Sequence, residues 1–579
     1  MVGFGTSPSF LTATAVAALC LTGVNALTRR QGRSARVADT DFSTRCANMA
    51  SVKMPDMTIN VTEYHRANDP FSPAGPGSAA FCRFGAEIKT SSQSKIHFEV
   101  WMPDKWSGRF AMVGNGGDAG SVNYPDMGVP LTKYKFAVAS TNTGHNGSPF
   151  DGTFAISNPQ SQIDFGHRAV HLTATYSKSL IRTYYGGGGA NHSYWIGELL
   201  WIKDFGPPVS AADGPSNVIT APNRSGCSSG GRQGLKEIQL NADTFDGVLA
   251  GAAAQWWSHY NGDVFRNNAF VNKVGSPGFL TAANYKTIGI EVLEQCDVLG
   301  QDKLKDGIIT DPTKCSPKLE GLLCSAKGAN KATCLSQAQI KTMYTIWADW
   351  ISSTGLATGP GGTNYFPGVL PGAVGPPGVP YGPSPDYFTY QVLNKTSPQP
   401  LTVNSEAELE KLLKIADDTD PGQTNAIDPD ISKFLSGGKL MTYVGLSDNV
   451  IPARSSLLYH DRVKAKLGNV DDSFRLFAIP GMLHCGGGNS AFNLGQASQS
   501  DISLGGGLQS ATFTAKDDMI LALIAWVEKN QAPDSLVGVN YVNGDKRQGV
   551  AFERLVCSWP KMGYHMAGDP NKASSFSCK

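Results

Sequence analysis

Short apolar runs alternate with amphipathic stretches along most of this chain. Residues 96–101, Ile-His-Phe-Glu-Val-Trp, alternate with period two and predict a strand. Residues 110–113 and 136–140 are continuous apolar runs and predict buried strands, the first leading into Gly114-Asn115-Gly116-Gly117. Residues 164–185 carry a helical pattern, and 192–197 have the aromatic and β-branched character of another strand. Residues 232–238 predict a helix, with Leu235 and Ile238 three apart on one face, and 245–250 the buried strand after it. This alternation predicts an α/β fold built on a parallel sheet. From 255 to 435 the character changes. Trp256 and Trp257 open the segment, cysteines follow at 296, 315, 324 and 334, and the Gly- and Pro-rich residues 356–384 predict no regular element. Sheet character returns at 440–444 and 474–479, and 517–529 predict a closing helix. The expected organisation is a sheet core in two parts, 27–254 and 436–579, with 255–435 inserted as a lid over its top.

Composition narrows the class. The chain has 579 residues, 41% hydrophobic and 17% charged, with a net charge of +1 and no long basic run. A globular protein is expected, with neither nucleic acid nor an anionic membrane as partner. Residues 10–24 form an apolar run followed by Val24-Asn25-Ala26, which predicts a secretory signal over 1–26. Arg29-Arg30 reads either as a dibasic processing site or as a basic pair in a tail. Of eleven cysteines, Cys20 falls inside the signal, and the other ten suit a disulfide framework in an oxidising compartment. Sequons at Asn60, Asn146, Asn191, Asn223 and Asn394 agree with secretion, although each reads equally as an unused match.

The chemistry centres on Gly226-Cys227-Ser228-Ser229-Gly230-Gly231, which fits G-x-S-x-G, the nucleophile elbow of α/β-hydrolases. A serine hydroxyl attacks only when a base takes its proton, and a carboxylate must orient that base. Asp448 and His484 each follow a late apolar strand, in the chain order Ser, Asp, His that this fold uses. The plainer readings are a loop histidine and a turn-forming aspartate near Asn449 and Pro452. Cys227 precedes Ser228 and Cys485 follows His484. If serine and histidine touch, these cysteines come within disulfide reach, about 5.5–6 Å between Cα atoms. The backbone N–H of Ser229 and that of Gly116 or Gly117 are the expected oxyanion donors, unless the glycine loop is an ordinary turn. Inside the lid, Asp302, Leu304, Asp306, Gly307 and Ile308 match positions 1, 3, 5, 6 and 7 of a calcium loop. Leu304 and Ile308 offer only carbonyls, position 12 is Thr313, and Asp297 could add a third carboxylate. A polar turn between Cys296 and Cys315 is the other reading.

Together these residues resemble the tannase and fungal feruloyl esterase family, whose Cys-Ser, Asp and His-Cys arrangement maps onto Cys227-Ser228, Asp448 and His484-Cys485. Residues 230–234, 245–251 and 526–528, with the tail around Cys557 and Cys578, share in the likeness. It implies an α/β-hydrolase fold with a calcium-binding lid held by Asp297, Asp302, Leu304, Asp306 and Ile308. It also implies the pairings Cys46–Cys82, Cys296–Cys315, Cys324–Cys334 and Cys557–Cys578. The implied activity is that of a secreted serine esterase releasing hydroxycinnamic acids such as ferulate from plant polysaccharide esters. Galloyl ester hydrolysis is the alternative, and a non-catalytic phenolic-binding protein is the reading of another class. One departure stands out. In the family an apolar strand runs straight into Gly-Cys-Ser, whereas residues 220–225 here contain Pro222, which cannot donate to a sheet ladder. Joining Gly197 to Cys227 restores Ser-Tyr-Trp-Ile-Gly-Cys-Ser, so 198–226 are expected to be an insertion foreign to the fold, such as a translated intron. The competing reading makes 217–225 the strand and places 192–201 elsewhere.

Overall fold

A nine-stranded sheet runs through the molecule in the order β1-β2-β3-β5-β4-β6-β7-β10-β11. Its strands are β1 (Met57–His65), β2 (Phe81–Lys89), β3 (Lys95–Pro103), β4 (Arg109–Val113), β5 (Ala137–Thr141), β6 (His192–Ile196), β7 (Gly247–Gly251), β10 (Lys439–Gly445) and β11 (Phe474–Ile479). The structure is a computed structural model. It describes residues 41–579 apart from 76, 198–226, 299–302, 329, 353–363, 374, 376–382 and 497–508. The expected signal over 1–26, Arg29-Arg30, the 198–226 segment with its Asn223 sequon, and Asp302 therefore lie outside the described residues.

The sheet is mixed rather than wholly parallel. Strands β5-β4-β6-β7-β10-β11 are parallel, whereas β1, β2 and β3 pair antiparallel and β3 joins β5 antiparallel. The pattern of each strand follows its place. Strands β5 and β7 are covered on both faces and read as unbroken apolar or small-residue runs. At the edge, β1 alternates exposed and half-buried positions, a weak signal that the apolar pattern alone does not reveal. The stretch 164–185 opens as a π-helical turn, Asp164–Arg168, and continues as the α-helix Ala169–Tyr184.

The strand at 192–197 takes the central place before the elbow. β6 lies between β4 and β7, and the Gly197 N–H donates to the Leu249 carbonyl at 2.9 Å. The elbow helix Ser228–Leu240 packs directly on β6 and β7. Trp195 Nε1 donates to the Gly230 carbonyl at 3.0 Å. A Cβ on Gly234 would stand 2.4 Å from the Trp195 ring, and one on Gly231 2.5 Å from the Gly251 carbonyl, so only glycine lets helix and sheet approach this closely.

Between β7 and β10 the chain builds the helices Trp257–Arg266, Ala282–Cys296, Gln337–Trp347 and Glu406–Thr419. These bury two apolar clusters of their own, one around Trp257, Tyr260, Phe388 and Leu413, the other around Ile288, Val292, Met343 and Ile346. The Gly- and Pro-rich stretch is not wholly irregular: β9 (Asn364–Phe366) pairs antiparallel with β8 (Trp350–Ile351), and Pro383–Asp386 is helical. After β11 the closing helix Met519–Lys529 is capped by Asp518, which accepts the Leu521 N–H at 3.0 Å. Two short antiparallel pairs, β12 (Ser535–Tyr541) with β13 (Val550–Cys557) and β14 (Gly563–His565) with β15 (Phe576–Cys578), complete the chain.

Candidate active site

The ends of the parallel strands bring the sequence-predicted groups together. Ser228 opens the elbow helix, 6% exposed. β10 ends at Gly445, where a Cβ would lie 2.3 Å from the Met482 carbonyl; this close crossing sets the Asp448 loop against the His484 loop. The Ser447 N–H donates to the Met482 carbonyl at 2.9 Å and fixes that crossing. His484 Nδ1 and Asp448 Oδ2 are 2.7 Å apart, both residues buried. Asp448 Oδ1 accepts the backbone N–H groups of Val450 and Ile451 at 2.8 and 2.9 Å. The carboxylate is thus aimed at the ring, and in the tautomer that donates Nδ1–H to it the basic nitrogen of His484 is Nε2.

Cys227 and Cys485 form a disulfide with a Cα–Cα distance of 5.9 Å. It joins the residue before Ser228 to the residue after His484. A His484 ring nitrogen lies within 4.8 Å of both sulfurs, and because these are bonded to each other the trio is no thiolate metal site. The other pairs are Cys46–Cys82, Cys296–Cys315, Cys324–Cys334 and Cys557–Cys578.

The glycine loop after β4 lies against the elbow. A Cβ on Gly114 would stand 2.8 Å from Gly230 Cα. Gly117 has φ 53°, and the N–H groups of Gly116 and Gly117 donate to no described residue. Beside the loop, His145 Nε2 lies 2.8 Å from the Asp118 carbonyl and the ring stacks on Phe154 at 3.9 Å. Burial pushes the pKa of His145 down to about 4, so it donates to that carbonyl as a neutral ring. Tyr260 is held protonated by burial, reinforced by the charges of Asp448, Asp263 and Asp118.

Arg232, which sequence reasoning passed over, is fully buried. It donates to the carbonyls of Gly166, Thr424 and Phe165 at 3.1, 3.2 and 3.4 Å and lies over the Phe165 and Trp257 rings. The elbow helix is thereby tied to the inserted layer. An arginine directly after a glycine pair carries no sequence signal of that role.

In the inserted segment between β7 and β10, the buried Asp297 accepts the Gly307 N–H at 3.0 Å, and Asp306 Oδ1 accepts the Ile308 N–H at 3.0 Å. Gly307 has φ 79°, as a sixth-position turn glycine requires. Two carboxylates therefore close on one turn, an oxygen-rich set that suits a hard divalent cation. The guanidinium of Arg554, from β13, also contacts Asp306 Oδ2, a partner the local spacing could not reveal.

The described family "Tannase and feruloyl esterase" matches residues 82–198, 223–370 and 391–579 and passes over 199–222. Among relatives, a probable feruloyl esterase B-2 of Aspergillus terreus is 31% identical, over 92% of this chain and 94% of its own. The crystal structure of feruloyl esterase B from Aspergillus oryzae superposes with a TM-score of 0.78 at 29% identity, covering 93% of this chain and all of that one. Tannin acyl hydrolase from Aspergillus niger shares the fold, with a TM-score of 0.66 at 18% identity over 93% of this chain and 95% of its own. With its α/β-hydrolase fold and a family match spanning most of its length, this chain belongs to the tannase and feruloyl esterase family of carboxylic-ester hydrolases.

Proposed function

We propose that this protein is a secreted feruloyl esterase that uses Ser228, His484 and Asp448. The observation that carries the residue assignment is the 2.7 Å His484–Asp448 contact beside a disulfide linking the neighbours of Ser228 and His484. In this reading Ser228 Oγ attacks the ester carbonyl while its proton passes to His484 Nε2. The carbonyl π pair moves onto oxygen, which the N–H groups of Ser229 and of Gly116 or Gly117 receive. Collapse of the tetrahedral intermediate expels the alkoxide, which takes the proton from His484. Water then attacks the acyl-enzyme with His484 again as base, releasing the acid and restoring Ser228. Asp448 orients the ring and balances the imidazolium charge.

Support for hydroxycinnamoyl esters comes from relatives named feruloyl esterase B at about 30% identity across nearly the whole chain. The shared fold with tannin acyl hydrolase favours galloyl esters as the second reading. Secretion is supported by the apolar leader pattern and the paired cysteines. No described helix is long and apolar enough to cross a membrane. A calcium ion would be held by Asp297, Asp302, Asp306 and the carbonyls of Leu304 and Ile308, where it would neutralise the carboxylates and brace the inserted segment. The deciding experiment compares release of ferulate and gallate from their methyl esters by the parent and by Ser228→Ala. Ferulate release that falls ~10⁶-fold in the variant is expected. Residual activity within about tenfold of the parent is far too high for loss of a nucleophile and would sink the assignment.

A further inference from the structure

We propose that Gln233 is a positioning residue that fixes the oxyanion loop to the helix carrying the nucleophile; this rests on the reading of Ser228 as nucleophile. Gln233 is 1% exposed and lies on the helix that begins at Ser228. Its Oε1 accepts the Asn115 backbone N–H at 3.0 Å, and its Nε2 lies 3.5 Å from Asn115 Oδ1. Asn115 is itself buried, and its Nδ2 donates to the carbonyls of Ser121 and Thr141 at 2.8 and 2.9 Å. Asn123 Nδ2 donates to the Gly114 carbonyl at 2.9 Å, and the Gly114 N–H reaches the Ile196 carbonyl at 3.3 Å. Residues 114 and 115 are thus tied to β6, to β5 and to the elbow helix, while the N–H groups of the next two residues are spent on nothing in the described protein.

This arrangement has a chemical consequence. An oxyanion hole works only when its donors stand at fixed distances from the point where charge develops. One donor, the Ser229 N–H, rides on the elbow helix. The other belongs to a separate loop, and two backbone segments joined by no covalent bond drift relative to each other. Gln233 refers the loop to the same rigid helix as Ser228 and Ser229, so one side chain sets the spacing of the two donors. Its effect is expected in the transition state, where the oxyanion exists, and not in the binding of an ester or an acid.

Gln233→Met keeps length and volume and removes the acceptor. With methyl ferulate, kcat should fall about 10- to 100-fold, the scale of a misplacement near 1 Å, while KM stays within about threefold. Phenylboronic acid supplies a second readout: Ser228 Oγ adds to boron, its proton passes to His484, and a boronate oxygen takes the place of the oxyanion. Its affinity should fall with kcat while that of the product ferulate holds. Unchanged kcat and boronate affinity would overturn the proposal, as would equal weakening of boronate and ferulate. Full activity in Ser228→Ala would instead refute the underlying nucleophile assignment. Should Gln233→Met fail to fold, Gln233→Glu serves. A neutral carboxyl still accepts the Asn115 N–H, whereas an ionised one sets negative charge against the oxyanion loop. Its kcat relative to the parent should decline as pH rises through the carboxyl titration, and a ratio flat from about pH 4 to about pH 8 would count against the proposal.

Discussion

Replacing Cys227 and Cys485 together by serine separates two roles of one bond. The disulfide closes a loop with a sequence separation of 258, against 21 for Cys557–Cys578. On the chain-entropy account the first contributes about 5.5 kcal/mol to stability and the second about 3.3 kcal/mol. Stability alone therefore predicts that the two double-serine variants differ by only about 2 kcal/mol. Activity should differ far more. The Cys227–Cys485 bond holds the backbones beside Ser228 and His484 at 5.9 Å, with Cys485 in the left-handed region at φ 66°. A side-chain residue costs of order 1–2 kcal/mol there and leaves that conformation when nothing holds it. Once released, the His484 loop loses alignment with Ser228, and a shift near 1 Å costs about 100-fold in rate. The assay is methyl ferulate hydrolysis well below the melting point of each variant, beside thermal and denaturant unfolding of both. We expect about a 100-fold loss of kcat without Cys227–Cys485 and less than about threefold without Cys557–Cys578. If the first variant keeps parental kcat, the bond does not position the pair; if both variants lose activity in step with stability, its role is stability alone.

Other expectations follow from separate parts of the molecule. A chain lacking 198–226 should be secreted and at least as active as the full chain, because Gly197 already hydrogen-bonds Leu249 and packs against Gly230 and Gly231. A deletion that abolishes folding while the full chain is active would refute this. Stripping calcium should lower the melting temperature and adding it back should restore it, since binding to the folded state alone stabilises; melting indifferent to the metal would exclude a structural site. Burial raises the pKa of Asp263 to about 7, against the opposing Arg266 charge and an Asn267 hydrogen bond and with Glu406 adding to the rise. The folded state then keeps a proton that the unfolded chain loses near pH 4, so this group costs roughly 1.4 kcal/mol of stability per pH unit as pH rises from about 4 to about 7. Unfolding of Asp263→Asn measured across that range should show a flatter decline than the parent, and parallel curves would argue against it.

The local patterns made much of this protein readable. Apolar runs marked β4, β5, β7, β10 and β11, because strands covered on both faces admit little else, and period-two alternation marked β3. The edge strand β1, half exposed, and the short C-terminal ladders left no such trace. Asp448 and His484 stood out as candidates because each follows a strand in the required order, Ser228 because it sits in G-x-S-x-G, and the flanking cysteines added a coincidence that chance seldom supplies. The aromatic strand at 192–197 was legible against its own numbering, thirty residues ahead of the cysteine it serves.

Periodicity, spacing and local chemistry were enough for the fold class, the order of the candidate site residues and a set of cysteines fit for pairing. Beyond the Cys227–Cys485 pair, packing set which distant groups meet. Gln233 against Asn115, Arg232 against the carbonyls of Gly166 and Thr424, and Arg554 against Asp306 join residues 118, 66, 192 and 248 positions apart. No local propensity encodes such contacts. They arise because a buried donor or acceptor must find a partner wherever the packed sheet, helices and lid leave one within reach.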